Sequence, residues 1–219
     1  GQYTQWGLTD TRGFCPTLLI DDYGDHHLAV TRYRPFESIM GVTVVNQDGS
    51  EADIPSENYQ LTEPELVQAS TGELVAVLRR NDMTGLPGMR SIFNARRNEW
   101  GKPTPFFLPG GAHRPTVKRL KDGRYFASFR FFPSCLTNQN TMMALFPEYT
   151  LLAPRGVQHA MVRPLDYCEN VAGDQGYTGA CQLENGDMFL VNYMNPDSHK
   201  TALFYYRFGL DVFGQGKLR

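Results

Sequence analysis

Residues 114–130 read RPTVKRLKDGRYFASFR, and the same pattern recurs as CPTLLIDDYGDHHLAVTRYR from Cys15, EPELVQASTGELVAVLRR from Glu63 and YTGACQLENGDMFLVNYM from Tyr177. Each segment is a strand, a turn and a strand. Laid over one another without gaps, they set Gly24, Gly72, Gly123 and Gly186 eight residues after Pro16, Pro64, Pro115 and Thr178. Glycine fits there because hairpin turns need a positive φ that other residues adopt at a cost. The segments begin 48, 51 and 63 residues apart, near the roughly 40–50 residues of a four-stranded propeller blade. A third strand follows each hairpin, expected at 41–45, 89–94, 141–146 and 201–208. The residues between Glu148 and Gln175 have no repeat partner and read as a linking insertion or loop. Gln2 to Leu8 offers an outer strand to the last blade.

Composition agrees with short strands and tight turns. The chain carries 14 Phe, 11 Tyr, 21 Gly and 14 Pro, and no long helical stretch interrupts them. The expectation is an all-β chain forming a β-propeller, one domain over residues 1–219. Four blades are recognisable, standing alone or within a five- or six-bladed ring. A two-sheet sandwich would also give many short strands, but a repeat in register favours the propeller.

A formal charge of -2 gives no general attraction to nucleic acid. Arg96 and Arg97, and Lys118, Arg119 and Lys121, read as solvated faces. No apolar run is long enough for a membrane helix. Cys15, Cys135, Cys168 and Cys181 lack the paired spacing of a zinc site; they read as buried free thiols, or as one or two disulfides in a secreted protein. His26 and His27 are adjacent on a strand and point to opposite faces, which argues against a shared metal. No metal and no cofactor are expected, and a secreted or periplasmic location is.

Hairpin geometry selects the candidate site. The start of a first strand and the end of its partner lie at one edge, because the chain has turned back on itself. Glu63, His113, Arg114 and Tyr177 therefore share a rim with Arg34, Arg79 and Arg130, and Asp174 lies close by. Arg79 and Arg130 both stand seven residues after their turn glycines. Singly, such arginines are ordinary surface residues. Gathered around one carboxylate and one phenol, they suit a small anionic ligand, because a guanidinium fork matches a carboxylate.

At these residues the sequence resembles the sialidase (neuraminidase) superfamily of β-propellers. TEPELVQASTGELVAVLRR is similar to that family's segment opening on a glutamate, GYTGACQLENGDMFLVNYM to its segment carrying a nucleophilic tyrosine, and FCPTLLIDDYGDHHLAVTRYR to its first blade. The resemblance implies a glycoside hydrolase acting on a terminal acidic sugar of a glycan, with Tyr177 as nucleophile and Glu63 as its base; the rim position of His113 beside Arg114 makes it a further catalytic candidate. It implies that Arg79 and Arg114 hold the sugar's carboxylate, and the shared rim adds Arg130, Arg34 and Asp174 as substrate-binding candidates. The sequence departs from that pattern where Cys15 replaces the family's first arginine, leaving Arg12 as a neighbour. The repeated aspartate box is worn at Asp48 and Trp100, and no aspartate matches the acid/base. The alternatives are a non-catalytic carbohydrate-binding or assembly propeller, or a propeller hydrolase or lyase acting on uronic acids through a rim histidine.

Overall fold

The computed structural model describes residues 13–34, 39–56, 60–82, 85–132, 139–154, 157–167, 174–197 and 200–214. Sixteen strands run through them. The first sheet holds β1 (Gly13–Ile20), β2 (His26–Arg34), β3 (Ile39–Asn46) and β4 (Glu51–Ile54), paired in that order. The second holds β5 (Leu61–Gln68), β6 (Leu74–Arg80), β7 (Met89–Asn94) and β8 (Glu99–Trp100), with β9 (Thr104–Pro105) also on β7. The third holds β10 (His113–Arg119), β11 (Tyr125–Phe131), β12 (Asn140–Phe146) and β13 (Met161–Tyr167); the fourth holds β14 (Asp174–Gln182), β15 (Met188–Asp197) and β16 (Lys200–Phe208). Every pairing is antiparallel. The four sheets are the blades of a β-propeller, one for each sequence repeat.

Alternation along the middle strands supplies three cores between four blades. Along β6, Leu74, Ala76 and Leu78 join Ala29, Val42 and Val44 of the first blade, while Val75 and Val77 join Val117, Tyr125 and Phe129 of the third. Phe126 faces the other way and packs with Met188 and Leu190 of the fourth. A blade between two others is buried on both faces, so its strands lose the polar side that a sheet edge would keep. All eight residues of β5 are buried for this reason.

The expected third strands appear within one or two residues of their bounds. The stretch from Glu148 to Gln175 is a correction. It contains a short helix, α1 (Glu148–Leu152), then β13, the outer strand of the third blade, and the start of β14. Pro164 in β13 faces a register shift at Thr141/Met142, and proline is tolerated there because an outer strand needs no donor on its free side. Buried Arg90 of β7 fixes the end of α1, donating to Thr150 O at 3.1 Å and Leu152 O at 3.2 Å and also to the carbonyls of Leu151 and Ala153. Residues 2–8 lie outside the described part of the chain.

Candidate functional site

Each innermost strand opens on a β-bulge. In the first three blades the pairing jumps across Cys15-Pro16, Glu63-Pro64 and Arg114-Pro115, two residues set against one on the partner strand. Proline suits this place because the bulge interrupts the ladder and asks for no N–H. The residue before it turns left-handed, with φ of 50° at Cys15, 46° at Glu63 and 46° at Arg114. Side-chain-bearing residues rarely adopt this region, and such strain persists where the surroundings impose it. In the fourth blade the bulge moves one place earlier, to Gly176 at φ 91°, so Tyr177 follows it.

The bulges aim their side chains at a common centre, and Glu63 occupies it. Its N–H donates to Thr31 Oγ1 of the first blade at 2.9 Å. Its Oε1 accepts from the Tyr177 hydroxyl of the fourth blade at 2.8 Å and from Arg79 Nη1 at 2.9 Å. Its Oε2 accepts the N–H of Arg114, of the third blade, at 2.8 Å. All four blades therefore meet on one residue that is 4% exposed. Three donors on a buried carboxylate offset the cost of taking its charge out of water. Deeper on the same strand, Glu65 ties three blades through Thr17 Oγ1 at 2.8 Å and Lys118 Nζ at 3.0 Å.

Tyr177 is 38% exposed, with its ring facing the Arg130 guanidinium 4.3 Å from the centroid. Burial raises the phenol's pKa, and the Glu63 charge and hydrogen bond raise it further against the pull of Arg130 and Arg79. The resting phenol is thus neutral, and its proton already points at a carboxylate. Arg130 also donates through Nε to Gln175 O, and its Nη2 lies 2.5 Å from Asp174 Oδ1, an ion pair whose angle does not make a hydrogen bond. Arg79 Nε is buried and has no hydrogen-bond partner among the described residues, and Arg114 is half-buried. Among the described residues, three guanidinium groups stand against the carboxylates of Glu63 and Asp174, an excess of one positive charge.

The other sequence candidates fall in different places. His113 pairs with Arg130 across β10 and β11 and is 2% exposed, its ring against Phe132. Burial, then the charges of Arg79 and Arg130, press its pKa down to about 3, so it borders the cluster as a neutral ring beneath the surface. Arg34 ends β2, and its side chain lies outside the described part. Arg32 turns away to grip Glu51 with two bonds of 2.8 and 2.9 Å, and Arg80 pairs with Asp82. His27 meets Asn46 and Asp21; among the described residues no three His, Cys, Asp or Glu side chains gather as a metal site would need. A groove of about 830 Å³ lined by Tyr23, His27, Glu73, Phe93 and Asn94 opens by the hairpin turns, apart from this cluster.

Cys15 stands at the bulge position of its blade, where the sequence marks it as replacing an expected arginine but assigns it no role. Its thiol is free and half-buried, with a pKa raised mainly by burial and next by Glu63, while Arg114 and Arg79 pull it down. The signal was its repeat position, the same as that of Glu63 and Arg114. Cys181 is also free but exposed, contrary to the expectation of a buried thiol: it sits on the face of β14 turned away from the third blade. Cys135 and Cys168 lie outside the described residues.

No protein-family model matches the chain, and no curated protein matches its sequence. Solved structures do. A Dyadobacter fermentans protein of unknown function aligns with a TM-score of 0.70 at 14% identity, covering 85% of this chain, which spans 50% of that protein. The endo-arabinase of Bacteroides thetaiotaomicron aligns with a TM-score of 0.60 at 14% identity over 94% of this chain and 78% of its own. An ulvan lyase aligns with a TM-score of 0.58 at 12% identity over 91% of this chain and 56% of its own. Identities this low speak for the fold alone, and by that measure the chain is similar to the β-propellers of glycoside hydrolases and polysaccharide lyases.

Proposed function

We propose that this propeller hydrolyses glycosides of an anionic sugar by a sialidase-like route, with Tyr177 as nucleophile and Glu63 as its base. The observation that carries the reading is the 2.8 Å hydrogen bond from the Tyr177 hydroxyl to Glu63, with Arg79 on the carboxylate and Arg130 over the phenol ring. An anomeric carbon that already bears a carboxylate repels an anionic nucleophile, whereas a neutral phenol approaches it without that penalty. As the phenol oxygen attacks the anomeric carbon, its proton passes to Glu63 Oε1 and the glycosidic C–O bond breaks, the aglycone oxygen leaving with the bonding pair, while Arg130 over the ring and Arg79 beside it favour the negative charge developing on the phenol. Arg79 and Arg114 are the groups that grip the sugar's carboxylate. Water then attacks the anomeric carbon and breaks its bond to the tyrosine oxygen, which takes back the proton held on Glu63, while the water's own proton passes to solvent.

An aryl sialoside is the substrate of choice for the test, because its leaving group departs as a stable phenolate without needing a proton donor. Wild type is expected to release the fluorophore, with Tyr177→Phe and Glu63→Gln each lowering kcat/KM by about a thousandfold. Turnover that survives both substitutions sinks the reading.

A second reading is chemistry on uronic acids, supported by His113 held neutral beside Arg79 and Arg130 and by the fold likeness to an ulvan lyase. In that case uronide polymers give an unsaturated, ultraviolet-absorbing product that His113→Ala abolishes, and aryl sialosides are inert. Glycan binding without turnover of either substrate would make the propeller a binding module.

A further inference from the structure

One position in the repeat breaks the pattern of the other three. Six residues after each turn glycine stand Val30, Leu78, Phe129 and then Asn192. In the first three blades this is the single residue opposite the bulge, and its side chain is apolar and buried or facing a core. Asn192 is 0% exposed, and an amide there costs stability unless every polar atom is engaged.

It is engaged. Asn192 Oδ1 accepts the N–H of Gly176 at 3.1 Å, while Nδ2 donates to Thr141 Oγ1 at 3.0 Å and to Asp166 Oδ2 at 2.6 Å. Asp166 Oδ1 in turn accepts the Tyr206 hydroxyl at 2.6 Å. The chemistry fixes the orientation of the amide, because turning it over would set its carbonyl against a carboxylate. The opposite side of the bulge is closed by Arg130: a Cβ on Gly176 would stand 2.7 Å from Arg130 Cβ, and Arg130 Nε bonds the carbonyl of Gln175.

We infer that Asn192, backed by Asp166 and Tyr206, is a positioning residue that acts through the Gly176 N–H to hold the Tyr177 hydroxyl on Glu63. The inference rests on the proposed role of Tyr177. A bulge is a soft point in a strand, and Tyr177 is the next residue along. A shift of about 1 Å there carries the phenol out of reach of its base, a displacement worth about a hundredfold in rate. The fourth blade therefore gives up an apolar contact to fix its bulge, where the other three fix theirs with proline or by packing.

The test compares Asn192→Leu, Asn192→Asp, Asp166→Asn and the double variant Asn192→Asp/Asp166→Asn. In the double variant the carboxylate at 192 still accepts the Gly176 N–H, and the amide at 166 donates to it while accepting from Tyr206. With an aryl sialoside, Asn192→Leu and Asn192→Asp are expected to lower kcat by about thirtyfold or more with KM held within about threefold. The double variant is expected to return kcat to within about threefold of wild type. A second readout needs no turnover: the ultraviolet titration of Tyr177, taken as wild type minus Tyr177→Phe, moves toward an ordinary tyrosine in the single variants and returns in the double. If wild type turns over no sialoside, the hydrolase reading falls and the titration alone judges the clamp. Unchanged kcat and titration in folded Asn192→Leu, or a double variant no better than its singles, overturns the inference. Should Asn192→Leu not fold, the exchanged pair decides the question.

Discussion

Glu63 holds a backbone conformation that its own side chain disfavours, at φ 46° and immediately before a proline, and the bonds from all four blades are what hold it there. Glu63→Gln keeps the shape but turns one acceptor into a donor facing donors. It is expected to lose about 2 kcal/mol of stability by urea denaturation, besides its effect on rate. Cys15 bears the same strain, and among the described residues no side-chain hydrogen bond offsets it. Cys15→Gly should raise stability by about 0.5–1 kcal/mol, because glycine adopts φ 50° freely; a lower unfolding midpoint would show that its packing outweighs its strain. The repeat register, combined with the rule that strand ends share an edge, makes Glu63, Arg79, Arg114 and Tyr177 legible as neighbours. It places Cys15 at the equivalent position but gives its thiol no role, and it does not reveal Asp166, whose strand has no place in the repeat. It also overstates the rim, since Arg32 and Arg80 stand at strand ends too and find surface partners instead.

At the scale of elements, the bulges and α1 carry the sharpest expectations. Gly176→Ala must place a Cβ 2.7–2.9 Å from Arg130 at φ 91°, and a loss of about 2–4 kcal/mol follows in thermal or urea unfolding. Arg90 is a buried cation with its pKa pulled down to about 10 by burial, held over Phe106 at 5.7 Å and bonded to carbonyls at the end of α1. A lysine cannot present that fork, so Arg90→Lys should cost about 2 kcal/mol and loosen residues 148–154 to limited proteolysis. The hairpins were plain in the sequence because turn glycines punctuate them, whereas β13 and the short strands β8 and β9 were not. An outer strand such as MVRPLDY pairs on one side only, tolerates Pro164, and leaves residues 161, 163–164 and 167 exposed. It therefore shows no clean alternation from which to read it.

For the whole molecule, four repeats are enough to announce a propeller because each blade lacks a core of its own and must stack on a neighbour to bury one. Stacking also sets the response to acid. His113 stays neutral in the folded chain down to about pH 3, while in the unfolded chain it protonates near pH 6.5. Between those values the unfolded state binds the extra proton, so stability falls as pH drops, by up to about 3 kcal/mol at pH 4. Asp21, Glu51, Asp122 and Glu148, held below the usual carboxylate range, add their losses only at lower pH. His113→Gln should therefore flatten the fall in urea midpoint between pH 7 and pH 5; an unchanged slope would place the acid sensitivity elsewhere. The burial of the innermost strands is uneven, complete along β5 and alternating along β14. In native-state hydrogen exchange the amides of Leu61–Gln68 should open only with the whole fold, and those of Asp174–Gln182 through smaller, earlier excursions. The carboxylate of the central pair thus rides on the most durable rung and its phenol on a frailer one, so warming should silence the pair while most of the protein still stands.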